Sequence, residues 1–175
     1  LKGEEHGSLL ELCYTLGSQI LIEAGKAQDP ESARGMLVDS VCSGKALEKL
    51  AEFVESQGGD PTVITNPELL PKAPVVLELP APEKGYVSAI HADAIGRICT
   101  ALGGGRSAKE DEIDLSVGIV LHKKCGDAVE AGECLAEIHA PDQERGEQAL
   151  DCVLAAYQIT KQKPVMPQFI RRIVK

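Results

Sequence analysis

Basic residues are scarce in this chain. Its 175 residues include 18 lysines and arginines against 27 aspartates and glutamates, a formal charge of −9. The acidic excess lies mostly before residue 75, where 6 basic residues stand against 12 acidic ones. A nucleic-acid surface needs the opposite sign, because lysine and arginine supply affinity for a phosphate backbone. No segment approaches the ~20 consecutive apolar residues of a membrane helix, and the basic-then-apolar plan of a secretory leader is missing. The chain therefore reads as soluble and cytoplasmic, with neither nucleic acid nor membrane as partner. It begins with Leu1 and not with methionine, which points to a processed or partial chain. No C-x-x-C pair occurs among Cys13, Cys42, Cys99, Cys125, Cys134 and Cys152, and His6, His91, His122 and His139 lack zinc-ligand spacing. Reduced thiols with packing roles, no metal and no cofactor are the expectation, Cys13 and Cys152 each lying on an apolar helical face.

The first third of the chain is written in helical grammar. Over residues 8–27, Leu9, Leu12, Cys13, Leu16 and Ile20 recur at helical spacing, Ser8 and Glu11 are placed as a capping box, and Leu10, Leu21 and Ile22 form a second apolar face. A helix apolar on two sides needs neighbours on two sides. A second helix opens at Asp29 as cap with Pro30 in its first position and runs to about Ser43. A third places Leu47, Leu50, Ala51 and Val54 on one face and stops at Gly58-Gly59. Residues 60–74 contain four prolines and no sustained periodicity, which marks a linker and a domain boundary.

Beyond the linker the grammar changes to strands. V-V-L-E-L-P-A-P and G-Y-V-S-A-I-H-A are β-prone, and D-A-I-G-R-I-C-T-A-L-G is a short helix ended by glycine. Then come V-G-I-V-L-H-K-K, a turn at Gly126-Asp127, A-V-E-A-G-E-C-L-A-E-I-H-A, and a helix D-Q-E-R-G-E-Q-A-L-D-C-V-L-A-A-Y-Q-I. The closing stretch Lys161–Lys175, basic without an acid, reads as one solvated face of a last strand. The fold class is α+β: a helical segment at 1–59, a Pro-rich linker at 60–74 and a small α+β domain at 75–175, of common domain size.

Two motifs invite chemistry. L-G-G-G-R-S-A-K-E-D-E-I-D, Leu102 to Asp114, puts three glycines before a run of charge. A Walker cradle needs G-x-x-x-x-G-K-[ST], whereas here an arginine follows the third glycine. A helix ends before these glycines instead of beginning after them, so no N-terminal dipole is in place to attract phosphate. The reading is a C-capped helix that runs into a mobile, charged surface loop. The second motif, G-D-x-V-x-x-G-x-x-L-x-x-I at residues 126–138, resembles the half-repeat of biotinyl and lipoyl domains, in which two hairpins interlock as a barrel-sandwich hybrid. A carrier needs a lysine at the tip that follows; here that place reads H-A-P-D-Q-E-R, and no lysine appears before Lys161. No Ser, His and Asp arrangement stands in a hydrolase context, since C-S-G-K lacks the nucleophile-elbow spacing.

Three segments together resemble one family. L-C-Y-T-L-G-S-Q-I-L, G-K-A-L-E-x-x-x-x-F-V-x-x-Q-G-G-D and L-G-G-G-R-S-A-K-E-D-x-I-D-L-S-V-G-I-V-L-H-K-K-x-G-D-x-V-x-x-G-E are similar, in this order, to the C-terminal portion of pyrimidine-nucleoside and thymidine phosphorylases. The resemblance implies reversible phosphorolysis of a pyrimidine nucleoside to free base and pentose 1-phosphate. It also implies that the family's K-H-S-T-G-G phosphate loop and base-holding residues precede this chain, because neither motif occurs here. No catalytic residue is then expected within it. Residues 1–59 would be helices of a large α/β domain, and 75–175 the complete small domain, of the α/β-hammerhead type. In that family the domains close around substrate, and Gly103, Gly104, Gly105, Arg106, Ser107 and Lys109 would form a closing loop. The rest of the phosphorylase chain would be the main partner, the intact enzyme a homodimer, and this piece alone a monomer without activity. The alternative is a free-standing, non-catalytic biotinyl-like module that binds a partner protein.

Overall fold

The computed structural model describes residues 1–4, 7–106 and 108–172. Ser107 and His6 lie outside the described residues, as does the end of the basic tail. The chain divides into two compact units, Leu1–Leu69 with Gln168–Lys175, and Leu70–Pro167.

The first unit contains α1 (Ser8–Glu23), α2 (Pro30–Cys42) and α3 (Lys45–Ser56). Helix α1 packs on α2 at Gly17, where an added Cβ would stand 2.9 Å from a methyl of Leu37. It ends sooner than its apolar pattern, because Gly25 adopts φ +65° and the amides of Gly25 and Lys26 turn back to the carbonyls of Ile22 and Leu21. The expected capping box at its start does not form. The N-cap is Gly7, and Glu11 instead takes a two-pronged bond from Arg34, at 2.6 and 3.1 Å. That bond holds the Glu11 carboxyl below the ordinary carboxylate range, and Arg34 also lies 4.8 Å from the Tyr14 ring centre.

Helix α2 opens as its sequence indicates. Asp29 accepts the Ser32 amide at 2.8 Å, the Ser32 hydroxyl lies near the Asp29 amide, and Pro30 occupies the first turn. Helix α3 half-buries Leu47, Leu50, Ala51 and Val54 and ends where Gly58 reaches φ +80°. The proline-rich stretch forms two short 3-10 turns, Pro61–Ile64 and Pro67–Leu69, the first packed on α3.

The second unit contains β1 (Val75–Pro80), β2 (Gly85–Ile90), α4 (Ala92–Cys99), β3 (Gly118–Leu121), β4 (Ala128–Val129), β5 (Cys134–Ala140), α5 (Gln143–Ala156) and β6 (Tyr157–Thr160). The strands form two small antiparallel sheets, ordered β1-β5-β3 and β4-β2-β6, so the unit is α+β. The turn before β4 is centred one residue earlier than expected: Gly126 takes φ +97°, and Asp127 closes it by accepting the Lys124 amide at 2.7 Å. It joins no hairpin, since β3 pairs with β5 and β4 with β2.

Leu135, Ile138, Val87, Val129 and Val153 fill the core, all essentially inaccessible. Helix α5 comes close to β1 and β5 because Gly146 has no Cβ; an added one would sit 2.8 Å from Leu77 and 3.2 Å from Ala140. The helix stops at Ala156, and the next residues pair with β2 as β6. The expected basic strand beyond it is not formed among the described residues, where 161–172 has neither helix nor strand. Pro164 and Pro167 remove the ladder donors it would need.

Tyr157, 7% exposed, sits at the helix-to-strand change and directs its hydroxyl to the carbonyls of Lys123 and Leu135, at 3.1 and 3.2 Å. Burial, then the neighbouring Cys125, Cys134 and Asp127, push its pKa from 10.0 to about 12. A folded-state value above the unfolded one contributes stability that is complete below the unfolded pKa and is lost as pH rises through the folded one. Stability is therefore expected to fall between pH 10 and about 12, with a shallower decline in Tyr157→Phe. Denaturant titrations of both proteins across that window check this; parallel declines would remove Tyr157 as the cause.

Candidate functional site: the glycine-rich segment

Helix α4 does not stop cleanly at its glycines. It passes into a wider π-type turn, Thr100–Gly104, inside which Gly103 adopts φ +108°. A side chain is disfavoured in that conformation, so glycine is required there. The Gly103 carbonyl accepts the amide of Asp114 at 2.9 Å, which joins the two ends of the segment. Gly104 is pressed against the preceding turn: an added Cβ would lie 2.9 Å from Cys99 Sγ and 3.1 Å from the Cys99 carbonyl oxygen. At Gly105 it would lie 2.7 Å from Thr100 Oγ1. The three glycines are thus a packed base, with Leu102 buried in the core beside them.

The charged part behaves differently. Arg106 and Lys109 are exposed, and neither makes an ion pair with a described residue. Asp111 accepts the Ala108 amide at 2.7 Å, a local turn that leaves both cations at the surface. Asp114 accepts from the amide and the hydroxyl of Ser116, at 2.9 and 2.6 Å, and these bonds, the hydroxyl first, lower its pKa. The structure therefore brings Gly103, Gly104 and Gly105 together with Cys99, Thr100 and Asp114, and leaves Arg106 and Lys109 outside that cluster. Sequence reasoning missed Cys99 and Thr100, although their positions one turn before the glycines were a usable signal.

The segment follows a helix C-terminus, where carbonyls and not amides are the loose groups, so it offers no phosphate cradle. A cleft of about 140 Å³ lies between α4 and α5, lined by Ile98, Leu102 and Ala149 together with Arg145, Gln148 and Cys152. It has no arrangement of acid, base and nucleophile.

The other candidate chemistries are also placed. After β5, where a carrier domain would need a lysine-tipped hairpin, Asp142 caps α5 by accepting the Arg145 amide at 2.8 Å. Among the described residues no group of three or more His, Cys, Asp or Glu is placed to hold a metal ion, and no helix is long and apolar enough to cross a membrane. All six cysteines are unpaired. Cys13 and Cys152, expected to pack, are exposed.

Gly104 and Gly96 make a paired test of the packed base. Gly96 lies exposed inside α4 with nothing within 4 Å of an added Cβ, so Gly96→Ala is expected to stabilise by about 0.5–1 kcal/mol. Gly104→Ala is expected to destabilise by about 1–3 kcal/mol through overpacking. Chemical denaturation of the two variants reads both signs; a neutral Gly104→Ala would mean that the base is loose.

Comparison with known proteins bears on the family. Residues 86–160, from β2 to β6, match the family model described as pyrimidine nucleoside phosphorylase C-terminal domain. The pyrimidine-nucleoside phosphorylases of Staphylococcus aureus strains USA300, NCTC 8325 / PS 47 and COL are each 49% identical to it over 144 residues, 82% of this chain and 33% of theirs. The chain thus spans about a third of the length of these curated relatives. By this likeness, and by a second unit that has the α+β make-up of that domain, the chain belongs to the pyrimidine-nucleoside phosphorylase family, of which it matches the C-terminal portion only.

Proposed function

We propose that the full-length protein is a pyrimidine-nucleoside phosphorylase, in which inorganic phosphate attacks the anomeric carbon of the nucleoside and the base departs, giving free base and pentose 1-phosphate. The likeness over 144 residues to enzymes named for this activity carries the reading. The reaction needs a phosphate site, stabilisation of charge on the leaving base, and exclusion of water. This chain contributes scaffold and closure to those ends. Residues 1–59 act as part of the large domain, 60–74 as the link and 75–175 as the small domain, while the catalytic groups lie elsewhere in the protein.

The exposed apolar side of α1 supports that division. Leu9, Leu16 and Ile20 are 63, 55 and 68% exposed, which suits a helix whose second neighbour belongs to the rest of the protein. The intact enzyme is a cytoplasmic homodimer in this reading, and the chain alone is an inactive monomer.

Gly103 to Gly105 form the base of the closing loop, with Arg106, Ser107 and Lys109 as its gating residues. Phosphorolysis of uridine or thymidine by the full-length protein, followed by release of free base, tests the activity. In the same assay Arg106→Ala is expected to change kcat and KM together, as loosening of a closing element does; an unchanged profile would retire the gating role. Residues 1–175 alone are expected to bind neither phosphate nor uridine in calorimetry, and micromolar binding of either would place part of the site within them.

A further inference from the structure

The chain leaves its first unit and comes back to it at the end. The boundaries fall between Leu69 and Leu70 and again between Pro167 and Gln168, so that residues 70–167 are set between two pieces of the first unit. The returning piece is Gln168–Lys175, of which 168–172 are described and form neither helix nor strand. It belongs with residues 1–69 through space and not through sequence, and Ile170 within it is half-buried.

The stretch just before the return is seated on the second unit. The Gly126 amide donates to the Val87 carbonyl at 2.8 Å, which ties the turn before β4 to a residue wholly inaccessible to solvent. Met166 lies against this turn: a Cβ added at Gly126 would stand 3.0 Å from Met166 Cγ and 3.6 Å from its Sδ. Gly126 is therefore needed both for its φ of +97° and for the room it leaves the methionine. Pro164 and Pro167 bracket that seat. Each fixes its own φ and drives the residue before it to extended backbone, so the run from Lys163 to Pro167 has little slack.

We propose that the tail is a strap: it is seated on the second unit at Met166, re-enters the first at 168–172, and gives the two units a second tie besides the proline-rich linker. While the second unit is folded, the short, stiff approach holds residues 168–172 at high effective concentration for the first, so that docking costs little chain entropy. The first unit has reason to need such support. Its only buried described residues are Ser18 and Ala33, whereas the other buried apolar side chains all belong to the second. The strap goes beyond the phosphorylase reading and assigns 168–172 to the large-domain side of the protein.

Hydrogen exchange of the full-length protein, read by mass spectrometry, tests the strap. Deletion of residues 168–175 is expected to speed amide exchange over 8–56 about tenfold and to leave 75–160 unchanged. Insertion of about ten glycine and serine residues between Pro167 and Gln168 keeps the tail but slackens it, and should give a smaller rise over 8–56, about threefold. Unchanged exchange over 8–56 after the deletion overturns the proposal. Equal acceleration in both regions also overturns it, since that marks a general loss of stability. Wild-type exchange in the insertion variant does the same, because a docked tail would then need no tie to the second unit. No arm reads phosphorolysis, so the outcome is independent of the proposed reaction.

Discussion

Strand β5 is hydrogen-bonded on both sides, to β1 through residues 75–80 and to β3 through residues 118–121, and the second unit is arranged around it. Its Leu135 and Ile138 are inaccessible to solvent, each contributing roughly 1.5–3 kcal/mol of apolar burial. Helix α5 covers the strand closely because Gly146 lets the helix backbone approach Ala140 and Leu77. The Tyr157 hydroxyl then ties β6, a strand of the other sheet, to the Leu135 carbonyl. Through β3 the same framework anchors the exit of the glycine-rich segment, while Leu102 anchors its entry.

Much of this was legible where one local rule acts alone. The Asp29-Pro30 start of α2 and the Gly58 end of α3 are settled by capping chemistry within a few residues, and the change from helix to strand grammar after the prolines follows from periodicity. Expectations failed where a distant partner competed. Glu11 could have completed a capping box, but Arg34, 23 residues away, offered two charged donors and took the carboxylate. Tyr157 continued a helical pattern, yet pairing with β2 and the two carbonyl acceptors made it the first residue of a strand. Local spacing could not reveal either competitor.

The candidate site was legible in identity more than in mechanics. Three consecutive glycines invite the inference of flexibility, since glycine widens backbone freedom in the unfolded chain and at hinges. Folding uses the same absence of a Cβ for the opposite end, letting Gly104 and Gly105 close onto Cys99 and Thr100. A glycine can signal motion or close approach, and only the atoms opposite the missing Cβ separate the two. Here they assign the packed role to the glycines and leave the charged residues after them at the surface.

Charge around the segment bears on what it can do. Arg106 and Lys109 are the cations an anion would seek, but Glu110, Asp111, Glu112 and Asp114 follow within a few residues on a chain of net charge −9. A phosphate approaching this loop meets more negative charge than positive, so two surface cations of this kind make a weak site for it. The local charge thus weighs against phosphate binding at this loop, as does its place after a helix C-terminus.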